Sequence, residues 1–169
     1  RVLFRRLSVF AGGWTLEAAE EVCAGEGLDG WEILDLLTQL VDKSLVIVEE
    51  RQGESRYRLL ETVRQYGRDR LLESQEAKAI RDRHLEFFVK LSEDAEPKLR
   101  RAEQAIWLDR METELDNLRA SLEWSQATAK KEMGLRLAGA VWWFWILHSH
   151  FREGREWLET ILQESQEAS

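Results

Sequence analysis

The chain has 169 residues, 44% of them hydrophobic and 33% charged, which excludes an intrinsically disordered chain and suits one or two small domains with a real core. Its net charge of −8 is shared evenly between the two halves, so neither half has the Lys and Arg surplus that drives nonspecific phosphate binding. The longest uncharged apolar run, residues 137–147, is too short to span a bilayer, and the opening residues lack a signal-peptide pattern. One cysteine, Cys23, excludes an internal disulfide and fits a reducing, cytoplasmic setting, while a single proline favours long helices.

The first stretch, "VLFRRLSVF", spaces Val2, Leu3, Leu7 and Phe10 as one face of a helix, with Arg5 and Arg6 expected outward. "AGG" breaks it. Thr15 is the expected N-cap of a second helix over 16–24, with Glu17 suiting its dipole. After the glycine-rich loop "GEGLDG", a third helix over 31–42 places Ile33, Leu34, Leu37, Leu40 and Val41 on one side. The period then changes from 3.6 to 2. "SLVIVEE" and "SRYRLL" alternate like strands about a turn containing Gly53, which predicts a β-hairpin. Three helices followed by a hairpin is the order of a winged helix, with the hairpin as its wing. A helix over 61–74 carries Val63, Tyr66, Arg70 and Leu71 in register and leads out.

Beyond Glu76 the pattern is helical throughout. Ile80, His84, Phe87, Phe88, Leu91 and Ala95 form one stripe, and "EPKLRRA" around Pro97 interrupts it. Leu108, Met111, Leu115, Leu118 and Leu122 then recur at spacings of three and four. "MGLRLAGAVWWFWIL" becomes apolar all round near its aromatic run, so neighbours are expected on several sides. The last helix, over 151–163, offers Gly154, Trp157, Leu158 and Ile161. With Gly154 at a small position, one tetratricopeptide-like unit can be drawn here, although Trp142 then occupies the matching small position of the first helix. The predicted fold is therefore mainly α: a winged helix over 1–74 with one small hairpin, then a helical, repeat-like bundle over 75–169.

Five blocks, "LFRRLSVFAGGWTLEAAEEVC", "ILDLLTQLVDKSLV", "YRLLETVRQYGRDRL", "WLDRMETELDNLRASLEW" and "LRLAGAVWWFW", resemble in order the STAND-class bacterial regulatory ATPases of the LuxR and antibiotic-regulator types. The resemblance covers nearly the whole chain. It implies a signal-transduction protein in which a nucleotide-binding core runs into a winged helix and then a helical sensor. The chain has no G-x-x-x-x-G-K-[ST] phosphate loop, so ATP or ADP is expected only in a domain upstream of Arg1, and no cofactor in this chain. On this view the chain is a non-catalytic fragment. Its partners would be the upstream ATPase domain, and a protein or small-ligand effector on the helical region.

In that class the return strand of the wing enters a Met-His-Asp motif whose histidine reads the bound diphosphate. The resemblance lays it on Leu59, Leu60 and Glu61. Glu61 keeps the acid, but Leu60 cannot donate to a phosphate, which counts against direct nucleotide sensing. Leu60 then reads as wing packing. Arg64 and Arg68, one turn apart, form with Glu61 the candidate interdomain contact, or else a solvated face. Between Leu28 and Asp42 the chain has Asp29, Glu32, Asp35 and Asp42 and no Lys or Arg, so this helix in a DNA major groove would be repelled by the phosphates; a DNA-reading winged helix is the alternative. His148 and His150, two apart, would point away from each other on a helix, so no metal site is expected. Trp142, Trp143, Trp145, Trp157 and Leu158 are candidates for a partner or repeat face, where an open apolar surface would promote self-association. The rival for the aromatic run is burial within the bundle.

Overall fold

The computed structural model describes residues 1–51, 53–128 and 130–167. It divides into two compact units, Arg1–His84 and Leu85–Ser169.

In the first unit, α1 (Val2–Leu7) is followed by a short strand β1 (Trp14–Thr15) and α2 (Leu16–Cys23). A 3-10 turn (Gly30–Glu32) leads into α3 (Ile33–Asp42), strands β2 (Val46–Arg51) and β3 (Glu54–Leu59), α4 (Glu61–Glu73) and the start of α5 (Ala77–Ala95). This is a winged helix. Thr15 caps α2 as its sequence predicts, its hydroxyl accepting from the Ala18 N–H at 3.2 Å. The hairpin pairs Val46 with Leu59 through to Arg51 with Glu54, turning at Gly53, whose φ of +79° suits glycine.

The sheet has a third strand that periodicity did not announce. β1 is only two residues long, too short for a period, yet Trp14 pairs with Tyr57 and Thr15 with Arg56, giving the order β1-β3-β2. Gly13 permits this approach: its φ is +151°, and a Cβ there would lie 2.9 Å from the Tyr57 carbonyl oxygen. Trp14 then stacks between Phe10 (5.4 Å) and Tyr57 (6.5 Å) in a core that includes Leu7, Val22, Ile33 and Leu37. His84, placed in the apolar stripe of α5 by its spacing, is buried against Phe10 with centroids 5.3 Å apart.

Besides Tyr66, which is 55% exposed rather than covered with Leu71, two side chains depart from the helical patterns. Arg6 does not face outward: it is 1% exposed. Its guanidinium donates to the carbonyls of Cys23 (2.8 Å), Gly25 (2.5 Å) and Glu26 (3.3 Å) and to Glu76 Oε1 (2.6 Å). A buried arginine is tolerable because those oxygens replace its water, and three of them sit at or beyond the C-terminal end of α2, where its dipole is negative. Arg83 donates to the carbonyl of Ala24 in the same loop. The second departure is Leu34. It is 46% exposed, because the buried face of α3 is carried by Ile33 and Leu37.

The second unit holds the rest of α5, a 3-10 turn (Lys98–Arg100), and α6 (Gln104–Thr113), α7 (Leu115–Ala127), α8 (Lys131–Leu147) and α9 (Phe151–Glu167). The leucine stripe expected as one face is divided between α6 and α7 at Glu114, which is buried and accepts from Asn117 Nδ2 at 2.9 Å. α7 and α8 approach at Gly134, where a Cβ would lie 2.5 Å from Ser125 Oγ. α8 and α9 form a helical hairpin that closes at Gly154 on the face of Trp145. Two-pronged ion pairs tie Arg119 of α7 to Glu153 of α9 (2.6 and 2.8 Å) and Arg136 of α8 to Glu93 of α5 (2.7 and 2.9 Å).

Candidate functional site

The α3 face is where a winged helix commonly meets nucleic acid. Here its exposed side chains are Leu34, Asp35, Thr38, Gln39 and Asp42, preceded by Trp31 in the 3-10 turn, and Lys43 follows only at the helix end. Thr38 is turned back on its own helix, donating to the Leu34 carbonyl at 2.9 Å. Trp31 is 76% exposed. Its indole N–H donates to Asp29 Oδ2 at 3.2 Å. Separately, the Asp29 N–H donates to Glu32 Oε2 at 2.9 Å and the Glu32 N–H donates back to Asp29, a capping box at the start of the turn. The signal was present in "DGWE", an aspartate followed three residues later by a glutamate, but periodicity assigned Trp31 no role.

The wing supplies Arg56 and Arg58 on β3 and Arg51 on β2. Arg58 is paired with Glu49 at 3.0 Å across the strands, and Glu50 and Glu54 flank the turn. The cations on this edge are thus interleaved with acids.

Glu61, Arg64 and Arg68 lie on α4. Arg64 is not a free exposed cation: its side chain is 17% exposed and grips Glu61 with two hydrogen bonds of 2.9 and 2.8 Å. That hydrogen bond holds the Glu61 carboxyl below its ordinary value, the charges of Arg64 and Arg68 adding to the effect. Arg68, half-buried, lies close to Arg81, whose pKa is lowered by burial and then by Arg68. Leu60 is not wing packing. It is 45% exposed in extended conformation at the N-cap of α4, because the strand register ends at Leu59 and the chain there turns outward into the helix.

Of the partner-face candidates, Trp145 is 1% exposed and belongs to the core, since Gly154 leaves room for its ring. Trp142 and Trp143 are half-buried; Trp142 meets Phe151 at 5.8 Å, and Arg100 lies over Trp143 at 5.1 Å. Trp157 and Leu158 are half-buried too. The more open apolar side chains of this hairpin are Phe151 and Leu162, each about half exposed.

His148 and His150 do not diverge as residues two apart on a helix would. α8 ends at Leu147, and Ser149, with φ +62°, turns both rings onto one carboxylate. His148 Nδ1 and His150 Nε2 each lie 3.1 Å from Glu112 Oε2. Burial pushes the Glu112 carboxyl up, but hydrogen bonds from His150 and His148 outweigh it and hold it below its ordinary value. This cluster fixes the turn of the hairpin to α6. Among the described residues, no group of three or more His, Cys, Asp or Glu side chains is placed to hold a metal ion, and no helix is long and apolar enough to cross a membrane.

A winged helix followed by helices is the class this architecture defines. Residues 1–72 match a family model described as "Winged helix-turn-helix domain". The chain is 42% identical over 164 residues, 97% of its length, to a Mycobacterium bovis protein named "Putative HTH-type transcriptional regulator", and equally to one of the same name from Mycobacterium tuberculosis. It covers 18% of the length of each. An "Uncharacterized protein" of Mycobacterium tuberculosis is 46% identical over 85 residues, half of this chain and 22% of that relative. No solved structure matches.

Proposed function

We propose that this chain is the winged-helix coupling module, with the first sensor helices, of a transcriptional regulator of the STAND ATPase class. In this reading it transmits the state of a nucleotide-binding domain, carried elsewhere in the protein, to helices that receive a protein or small-ligand effector. It does no chemistry itself. The regulator part is supported by the names of the relatives, and the ATPase part by the five sequence blocks and their order. The observation that carries the coupling role is the α3 face: Asp35 and Asp42 exposed beside Trp31 and Leu34, with no cation before Lys43. Such a surface repels a phosphate backbone and suits a protein. Glu61, Arg64 and Arg68 remain the proposed contact to the ATPase domain. Phe151 and Leu162, with Trp142 meeting Phe151 at 5.8 Å and the half-buried Trp157 and Leu158 on the same helix, are the proposed effector or self-association region.

DNA binding is the second reading. It is favoured by the winged helix-turn-helix family match over residues 1–72 and by the regulator names of the relatives. A gel shift with random and promoter DNA across a salt series separates the two. The coupling role predicts no shift at moderate salt. A specific complex that weakens steeply with salt would replace it with the DNA reading.

A further inference from the structure

We infer that the α3 face of this winged helix is a docking surface for a basic amphipathic protein segment, one that presents leucine-type side chains alongside Lys or Arg. This rests on the coupling role proposed above and names the chemistry of the partner. Scattered exposed apolar residues are ordinary on a protein surface. Trp31 is different on two counts. At 76% exposure it is the most open of the large hydrophobic side chains, and it is nevertheless held, its indole fixed to Asp29, which is itself fixed by Glu32. An exposed ring already tied down has lost rotamer freedom before any partner arrives, so less is lost on association. Tryptophan in that state is the residue type that anchors interfaces.

Leu34, 46% exposed, lies three residues along from Trp31 and so on the same side of the helical path, extending the apolar contact by a turn. Acids surround the pair: Asp29, Glu32, Asp35 and, two turns on, Asp42. No Lys or Arg occurs between Leu28 and Asp42 to neutralise them. An apolar pair flanked along the chain by carboxylates, with no Lys or Arg among them, is complementary to a segment whose apolar face is flanked by cations. That complementarity steers encounter and selects against acidic partners and nucleic acid.

The test uses the intact chain and three fluorescein-labelled probes followed by anisotropy at low salt. They are a helical peptide of leucine and lysine, the same peptide with every lysine replaced by glutamate, and a DNA duplex. Trp31→Ser and Asp35→Lys change exposed side chains, and circular dichroism checks that both variants fold. The leucine-lysine peptide is expected to bind the wild-type chain at least fivefold more tightly than either variant, and the glutamate peptide not at all. The inference falls if the leucine-lysine peptide fails to bind, or binds both variants as well as wild type. It falls equally if sedimentation shows a dimer of this chain that W31S dissociates. Each of those results leaves the coupling role standing. Duplex binding that W31S or D35K alters would overturn both.

Discussion

Arg6 and Glu76 meet at 2.6 Å although seventy residues separate them, and Arg6 is 1% exposed. Arg5 reaches the other oxygen of the same carboxylate at 2.8 Å. Through this contact α1 is joined to the residue that opens α5, and through the remaining Arg6 donors to the loop after α2. One guanidinium therefore holds three segments of the first unit.

Replacing it should be costly. R6A leaves the Glu76 carboxylate with Arg5 as its one cation, beside a long hydrogen bond from the Ser74 hydroxyl (3.4 Å), and strips donors from the carbonyls of Cys23, Gly25 and Glu26. Breaking a buried ion pair from one side costs about 3 kcal/mol or more. Urea unfolding should show a loss of that size, and a loss below about 1 kcal/mol would mean the site relaxes as a surface pair does.

Glu76 makes the same contact pH-dependent. Burial pushes its carboxyl up, but hydrogen bonds and charge from Arg5 and Arg6 win and hold it at about 2, against an ordinary value of 4.5. A carboxyl depressed in the folded state contributes stability that is fully present above 4.5 and is lost as pH falls toward 2. Thermal melts between pH 7 and pH 2.5 should therefore show a steeper acid decline for wild type than for E76Q. Parallel curves would remove Glu76 as a source of that decline.

Cys23 should be inert while the chain is folded. It is fully buried, and burial pushes its thiol up to about 12 despite the nearby charges of Arg6 and Arg83. The thiolate is the reactive form, so neither its population nor its access favours attack. Iodoacetamide at pH 8 should leave the native chain unlabelled and modify it fully in denaturant. Rapid labelling without denaturant would contradict this.

Two glycines in the second unit should respond oppositely to alanine. A Cβ at Gly154 would lie 2.5 Å from Trp145 Cε3 and 3.0 Å from its Cβ, whereas one at Gly139 meets nothing within 4 Å. G154A should cost about 1–3 kcal/mol by overpacking. G139A, in the interior of α8, should be neutral or add up to about 1 kcal/mol through helix propensity. Equal effects would show that Trp145 can move aside.

Much of the local architecture is legible in the residues themselves. The period change after Leu45 and the glycine at the turn predict the hairpin, and Thr15 predicts its own cap. The hidden parts need a partner that local pattern cannot supply. Leu34 reads as core in the periodic pattern and Trp31 is given no role by it, yet α3 buries Ile33 and Leu37 and leaves those two outside. In the same way "HSH" reads as a diverging pair until the helix is seen to stop at Leu147 and the turn brings both rings to Glu112.

The sequence by itself determined most of the elements, though not the two-residue strand β1 or the break between α6 and α7, because periodicity, caps and turn glycines act over a few residues and are written where they act. It also determined what the chain lacks, a phosphate loop, since a missing motif needs no geometry to be noticed. Only the tertiary structure decided which side of each element is covered. Arg6 and Trp145 went inside because distant groups, Glu76 and the carbonyls after α2 for one and the bare backbone of Gly154 for the other, make room or compensation for them. Trp31 stayed outside because none of the described residues covers it, and burial is a property of neighbours that a residue's own position does not encode.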